Sequence, residues 1–312
     1  MTSPAKIAVI GAGLAGIAAA RRLTERGAKV VVFEKSRGYG GRCSSKKWEG
    51  QVIDHGAQYF TQLDSAFQDS VTRACGGRVK ALRAPILTSS GDEWKGGPRY
   101  YHVAGNSLLV RELAENLDVR IGTLIEGVNA EGSGWKVGDE IFDQILSTAP
   151  LPQTRKMAGL DMGISEYVSC LTLLLLYEGD KLGKTKGVYA IADSAGSDLI
   201  WTACENHKET RVQPGKTALV AHASAAFSAR FIEADPQSWS KKLRSLAEQR
   251  WRLPPEKFKL QYAHRWRYAR VTATSAAPQL PQGWHFAGDA LTESRVESAW
   301  LAGTAVAERL PL

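Results

Sequence analysis

Lys6-Ile7-Ala8-Val9-Ile10-Gly11-Ala12-Gly13-Leu14-Ala15-Gly16, then a helical stretch, then Val30-Val31-Val32-Phe33-Glu34: this opening decides the fold. Strand, glycine turn, helix and a second strand ending in an acid predict a βαβ unit shaped for an adenine dinucleotide. Gly11 permits the tight turn off the strand, Gly13 has no Cβ to obstruct a pyrophosphate, and Gly16 lets the helix lie close to the sheet. Leu14 and Ala15 begin that helix, whose unpaired N–H groups would face the phosphates. Glu34 stands where a carboxylate accepts both ribose hydroxyls and repels a 2′-phosphate.

The 312 residues suffice for one large domain or two interleaved ones with a substantial core. With 44% hydrophobic and 23% charged residues the composition is that of an ordinary soluble protein. The longest apolar run, Cys170 to Tyr177, is too short for a bilayer and predicts a buried strand. Met1-Thr2-Ser3-Pro4 leads directly into the first core strand without a signal peptide, so we expect a cytoplasmic protein with no membrane contact. Four cysteines (Cys43, Cys75, Cys170, Cys204) and six dispersed histidines form no ligand spacing, and we expect reduced thiols and no metal.

The net charge of +8 is spread among acids, and we expect no nucleic-acid partner. One segment, His264-Arg265-Trp266-Arg267-Tyr268-Ala269-Arg270, interleaves bases with aromatics. It either grips a nucleotide by charge and stacking or is a strand with one buried and one wet face.

Further along, Lys35 to Ser44 is a glycine-rich basic loop, Val52–Phe60 a short strand ending in polar and aromatic residues, and Ser65 to Ala74 a helix. Gly105 to Leu117 is amphipathic at helical spacing, and strands are expected at Val119–Ile125, Trp135–Val137 and Glu140–Leu146. Strands at Val168–Tyr177, Gly187–Ala192 and Ala218–Ala223 with a basic helix near Pro236–Arg250 form a second, sheet-based unit. The last 45 or so residues return to the first style, with a strand Trp284–Ala287, a turn Gly288-Asp289 and a helix from about Glu297 to Arg309. The expected fold class is therefore α/β: a Rossmann-like FAD/NAD(P)-binding domain (1–75, 103–150 and 268–312) with an inserted α+β substrate domain on a mostly antiparallel sheet (76–102 and 151–267).

The opening fingerprint handles only the adenosine half of a cofactor. Gly40-Gly41-Arg42 follows the ribose acid closely enough to wrap a pyrophosphate, with Arg42 neutralising charge. Gly288-Asp289 ends a late strand and suits a ribityl hydroxyl or pyrophosphate, and the helix after it would aim its positive end at a flavin pyrimidine edge.

Gly11 to Gly16, Glu34 to Arg42 and Ala287-Gly288-Asp289 together resemble the flavin-containing amine oxidase superfamily. Asp54-His55-Gly56-Ala57-Gln58-Tyr59-Phe60 and Trp266-Arg267-Tyr268-Ala269-Arg270-Val271-Thr272 resemble its renalase-like branch. The resemblance runs end to end and implies a fold like that of p-hydroxybenzoate hydroxylase, non-covalent FAD, and oxidation of isomeric dihydro-NAD(P) to NAD(P)⁺ with O2 reduced to H2O2. It also implies that Gly11, Gly13, Leu14, Ala15, Gly16, Glu34 and Lys35 hold the AMP portion, and that Gly41 and Arg42 meet the pyrophosphate. Ile125 would offer its backbone to the adenine, Gly288 and Asp289 would hold the pyrophosphate–ribityl region, and Val296 and Glu297 would face the pyrimidine edge. Gln58 and Tyr59 would lie near the ring.

Two departures from amine oxidases stand out. The strand Val168–Tyr177 lacks the lysine they commonly use, with Leu171 near its position, and Arg295 replaces an aromatic wall. No acid–base dyad announces itself, so flavin N5 would do the chemistry. Candidate contacts for a dihydronicotinamide nucleotide are Tyr59, Arg265, Arg267, Arg295 and Trp300. The alternatives are an amine or polyamine oxidase or a desaturase of the same fold, and a non-catalytic flavin- or NAD-binding redox sensor. Oligomeric state is left open.

Overall fold

The computed structural model describes residues 3–160, 167–180, 182, 187–193, 196–273 and 278–312. Its first layer is a parallel sheet of five strands in the order Trp284–Phe286, Gln144–Ser147, Lys6–Ile10, Lys29–Glu34 and Asp118–Ile121. The late strand Trp284–Phe286 pairs with Gln144–Ser147, which pairs with Lys6–Ile10, so the end of the chain completes the sheet begun by its start. Both faces of this sheet are covered, which is why its strands read as continuous apolar runs. The first helix, Leu14–Glu25, packs against the last, Val296–Arg309. A Cβ on Gly303 would overlap the Ala15 carbonyl, so this glycine sets how closely the two helices approach. Ala299, Gly303 and Ala307, spaced by four, are the sequence signal for that contact.

The second layer is a six-stranded sheet in the order Phe258–Val271, Tyr167–Glu178, Lys216–Ala223, Leu199–Cys204, Ala190–Ala192 and Ile86–Thr88. It is antiparallel except for its last pair. Alternation along Tyr167–Glu178 sends Leu171, Leu173, Leu175 and Tyr177 into a core with Trp239, Leu243 and Trp251 of the helix Pro236–Trp251. Leu174 and Leu176 turn to the opposite face, against Ile53. Burial on both faces explains the unbroken apolar run.

Several elements differ from the sequence expectation. The strand expected over 52–60 stops at Asp54, because the residues beyond it bond to the other sheet instead of extending the hairpin. His264–Arg270 lies inside a strand of 14 residues. The hairpin strand Ser45–Trp48 and the sheet strand Leu199–Cys204 carried no signal that was read. All four cysteines are free thiols. Among the described residues, no helix is long and apolar enough to cross a membrane.

Candidate functional site

The glycine turn has the geometry its residue types demand. Gly11 is in the positive-φ region at 111°, and a Cβ there would lie 2.7 Å from Thr148 Oγ1. A Cβ on Gly16 would overlap the Gly11 carbonyl oxygen. Gly13 is different: its φ is −77° and nothing lies within 4 Å of where a Cβ would sit. It caps the first helix with no side-chain hydrogen bond, so the first N–H groups of that helix have no capping side chain. Gly40 bridges to Gly13 with its N–H on the Ala12 carbonyl at 3.1 Å, and the short helical turn Gly41–Cys43 starts from there. A helix start without a side-chain cap, with glycines at Gly13, Gly40 and Gly41 beside it, fits a pyrophosphate.

Glu34 is buried, its carboxylate accepting from Ala12 N at 2.8 Å and Ser36 N at 2.7 Å. Lys35 is exposed, 3.5 Å from Gln153 Oε1. Ile125 is buried among Ala8, Ile10 and Phe33 under the edge of the same sheet.

Arg42, expected at the pyrophosphate, and Asp289, expected at the pyrophosphate–ribityl region, bind each other. Arg42 Nη2 donates to Asp289 Oδ1 at 2.9 Å and Nη1 donates to Oδ2. Tyr167 Oη and Ser294 Oγ also donate to this carboxylate, at 2.9 and 2.8 Å. Burial pushes Asp289 up, but the hydrogen bond and charge of Arg42 prevail and hold it below the usual carboxylate range. Gly288 is extended, and its Cβ position faces the Phe286 ring.

The segment 54–59 links this junction to the second sheet. On the cofactor side Ala57 N donates to the Arg42 carbonyl at 2.8 Å, and a Cβ on Gly56 would overlap that oxygen. On the other side His222 Nε2 lies 3.2 Å, and Trp266 Nε1 3.1 Å, from the His55 carbonyl, and Trp201 Nε1 donates to Gln58 Oε1 at 2.6 Å. Strand register places Trp201 beside His222, His222 beside Thr172 and Thr172 beside His264, a row across four strands beneath this strap. The His55 ring stacks on Trp266 at 5.3 Å and meets His264 edge-on at 4.7 Å. Burial, and then His264, lowers the His55 imidazole to about 3; burial lowers His222 to about 4. Both imidazoles are neutral at pH 7.

Asp54 anchors the strap in a fully buried cluster. Lys208 Nζ reaches Asp54 Oδ2 at 2.9 Å and Glu205 Oε1 at 2.7 Å, and Arg211 Nη2 reaches Asp54 Oδ2 at 2.7 Å. Two acids and two bases balance, which is what makes such a cluster tolerable in a low dielectric. Burial pushes Asp54 up, yet Lys208 and Arg211 hold it below the usual range. Glu205, whose dominant influence is burial, is raised.

Each substrate contact expected from sequence has a protein partner. Tyr59 lies under the Arg99 guanidinium, 5.6 Å away, and 6.1 Å from Trp201. Trp300 is a core residue against Phe67, with ring centroids 5.6 Å apart, because the helix turns it inward. Arg267 is gripped by both carboxylate oxygens of the exposed Glu233, and Arg265 donates to the Ala234 carbonyl. Arg295 reaches Thr61 Oγ1 at 3.2 Å. Val296 begins the last helix, whereas the Glu297 carboxylate is taken by Thr61 Oγ1, Leu63 N and Asp64 N at 2.6–2.9 Å. Leu171, near the position of the absent lysine, faces the helix-covered core.

Sequence reasoning missed Tyr189, Trp201, Glu205, Lys208, Arg211 and His222, which share no local pattern with the strap they hold. It also missed the approach of Cys75, His102 and Glu112 to within 4.8 Å. There Ala104 N–H donates to His102 Nδ1 at 3.2 Å, which keeps the ring proton on Nε2, facing Glu112 at 3.1 Å. A protonated Nε2 is a donor to the carboxylate, not a metal ligand.

Residues 9–75 match the model of the NAD(P)-binding Rossmann-like domain family. The opening unit is such a domain. Two desaturases are similar over a stretch of this chain: the 4,4′-diapophytoene desaturase (4,4′-diaponeurosporene-forming) of Staphylococcus aureus strain Newman is 42% identical over 71 residues, 23% of this chain and 14% of that protein. The zeta-carotene-forming phytoene desaturase of Myxococcus xanthus is 39% identical over 79 residues, 25% of this chain and 15% of that protein. The matched stretch thus spans about a seventh of either relative. Likeness over the whole chain comes from solved structures. Reduced UDP-galactopyranose mutase superposes with a TM-score of 0.77 at 13% identity, over 97% of this chain and 95% of that one. Cyclohexylamine oxidase from Brevibacterium oxydans IH-35A gives 0.73 at 12% identity over 98% of both, and putrescine oxidase bound to putrescine gives 0.71 at 14% over 99% of both. This chain shares their fold.

Proposed function

We propose that this protein is an oxidoreductase that holds FAD non-covalently between its two termini, and that it oxidises isomeric dihydro-NAD(P) to NAD(P)⁺ in the manner of the renalase-like branch. The observation that carries this reading is the junction of Arg42 and Asp289 beside the open Gly13 hollow. That hollow, the start of the first helix and Glu34 fit an ADP moiety, and the bare start of the last helix, where Arg295 provides no side-chain cap, suits a pyrimidine edge. Bound FAD supplies hydride acceptance at N5 and return of both electrons to O2, so that dihydropyridine, O2 and a proton give pyridinium and H2O2.

The chain's own residues have little proton chemistry to perform in that reaction. The strand Tyr167–Glu178 has no lysine, and the nearby imidazoles of His55 and His222 are neutral and held by neighbours. What the residues supply is positioning of two flat rings at reacting distance, with water kept out by the sheet row and the strap. Oxidation of an amine, or desaturation, is the second reading. The fold shared with cyclohexylamine and putrescine oxidases and the local identity to desaturases favour it.

Anaerobic mixing of the yellow holoprotein with the 2-, 4- and 6-dihydro isomers of NAD and with a panel of primary amines decides between them. Rapid bleaching by the 2- or 6-dihydro isomers is expected. Bleaching by amines alone would establish the second reading, and no bleaching by any reductant would favour a non-catalytic sensor.

A further inference from the structure

The Asp289 carboxylate is fully engaged by the protein. Its Oδ1 receives Arg42 Nη2 and Tyr167 Oη, both at 2.9 Å, and its Oδ2 receives Arg42 Nη1 and Ser294 Oγ, the latter at 2.8 Å. An ionised carboxylate offers about four lone-pair positions, and these four donors fill them. Two of the donors lead to one rung of the second sheet. Tyr167 and Val271 are register partners, the first residue of one long strand and the last of its neighbour. Tyr167 reaches Oδ1 directly, while Val271 reaches Oδ2 through Ser294, whose Oγ accepts from Val271 N at 2.9 Å. A backbone N–H can only donate, so the Ser294 hydroxyl turns its own proton to Asp289. The same two strands carry Thr172, His264 and Trp266 beneath the strap.

We propose that Asp289 is a positioning residue and not a cofactor ligand. Its carboxylate, through Tyr167 and Ser294, latches the end of the second sheet to the turn before the last helix and so sets how far a guest ring over that sheet lies from the flavin. A ribityl hydroxyl could bond to this carboxylate only by displacing a protein donor, and the exchange would leave that donor without its partner. Only the kinetic consequence rests on the flavin reading above; the latch contacts themselves do not.

Tyr167→Phe keeps the ring and removes the hydroxyl, and Ser294→Ala removes the other arm. Each should slow anaerobic reduction of the bound flavin by the 2- or 6-dihydro isomer about tenfold, as a small displacement of a reacting ring does. FAD affinity and the visible spectrum of the substrate-free holoprotein should not change, and Ser294→Thr, which keeps the Oγ, should reduce at the wild-type rate. A wild-type rate in folded, yellow Tyr167→Phe or Ser294→Ala would overturn the latch. So would a shift of FAD affinity or spectrum in either, because that is the mark of a carboxylate bonded to the cofactor. The apoprotein gives a second test. Both arms act on one carboxylate and one rung, so the double variant should lose less in melting temperature than the sum of the two single losses. Additive losses would overturn the latch whether or not the protein binds FAD, whereas a colourless wild-type protein that cannot take up FAD would refute the flavin reading alone.

Discussion

Arg42 and Asp289, 247 positions apart in sequence, form a two-point ion pair that joins the loop after the second strand to the turn before the last helix. Asp289 is buried, with two hydroxyl donors besides the guanidinium, while the Arg42 side chain is about a third exposed. The pair holds the two ends of the chain around one hollow.

Asp289→Asn keeps the shape and removes the charge. Because Arg42 can partly hydrate, the loss of stability should be about 1–3 kcal/mol, less than for a fully buried pair. FAD affinity should fall with it, read from recovery of flavin fluorescence on dilution. Retention of full affinity at unchanged melting temperature would show that the pair does not organise the hollow.

Gly13→Val and Gly303→Val are expected to fail in different ways. Space is open around Gly13, so valine should leave the fold near its original melting temperature while filling the hollow and yielding colourless protein. At Gly303 the added carbons collide with the Ala15 carbonyl, which should cost about 1–3 kcal/mol in thermal or denaturant unfolding.

Acid should destabilise the fold early. His55 and His222 lie at about 3 and about 4 in the folded protein, below the value of about 6.5 for an unfolded chain. Depressed values mean that their contribution is complete above about pH 6.5 and is lost as pH falls toward the folded values. Two such protons give a slope approaching 2.7 kcal/mol per pH unit between those limits. Asp54 and Asp289, also depressed, add to the loss below about pH 4, while the raised Glu205 opposes it. His222→Gln, which can still donate to the His55 carbonyl, should flatten the slope by about one proton. A melting temperature constant from pH 7 to 4 would contradict this assignment.

Lys208→Met leaves Glu205 and Asp54 to share Arg211 in a fully buried site, at a cost of about 3–5 kcal/mol. Because Asp54 begins the strap, the protein that remains folded should also bind FAD more weakly, measured on the same preparation by titration. Loss of stability with unaltered FAD affinity would uncouple the cluster from the site.

Local rules made the opening unit readable. Gly11 and Gly16 each meet a demand set by the local backbone, and strand and helix periods are properties of a few consecutive residues. The unbroken apolar run from Cys170 to Tyr177 likewise announced a buried strand. The partners of Arg265 and Arg267 and the inward turn of Trp300 were not legible, because charge and aromaticity say nothing about which way a side chain turns or what partner it finds.

The sequence by itself determined that a βαβ unit begins the chain, that glycines shape the turn into its first helix, and that a late strand and helix return to the same sheet and its covering helix. Only the tertiary structure decided that Arg42 meets Asp289, that Lys208 and Arg211 neutralise Asp54, and that Trp201 and Tyr189 orient Gln58. The reason is one of range: backbone conformation and hydrophobic period act over a few residues, whereas burial of a charge or an amide forces it to find partners wherever the chain brings them.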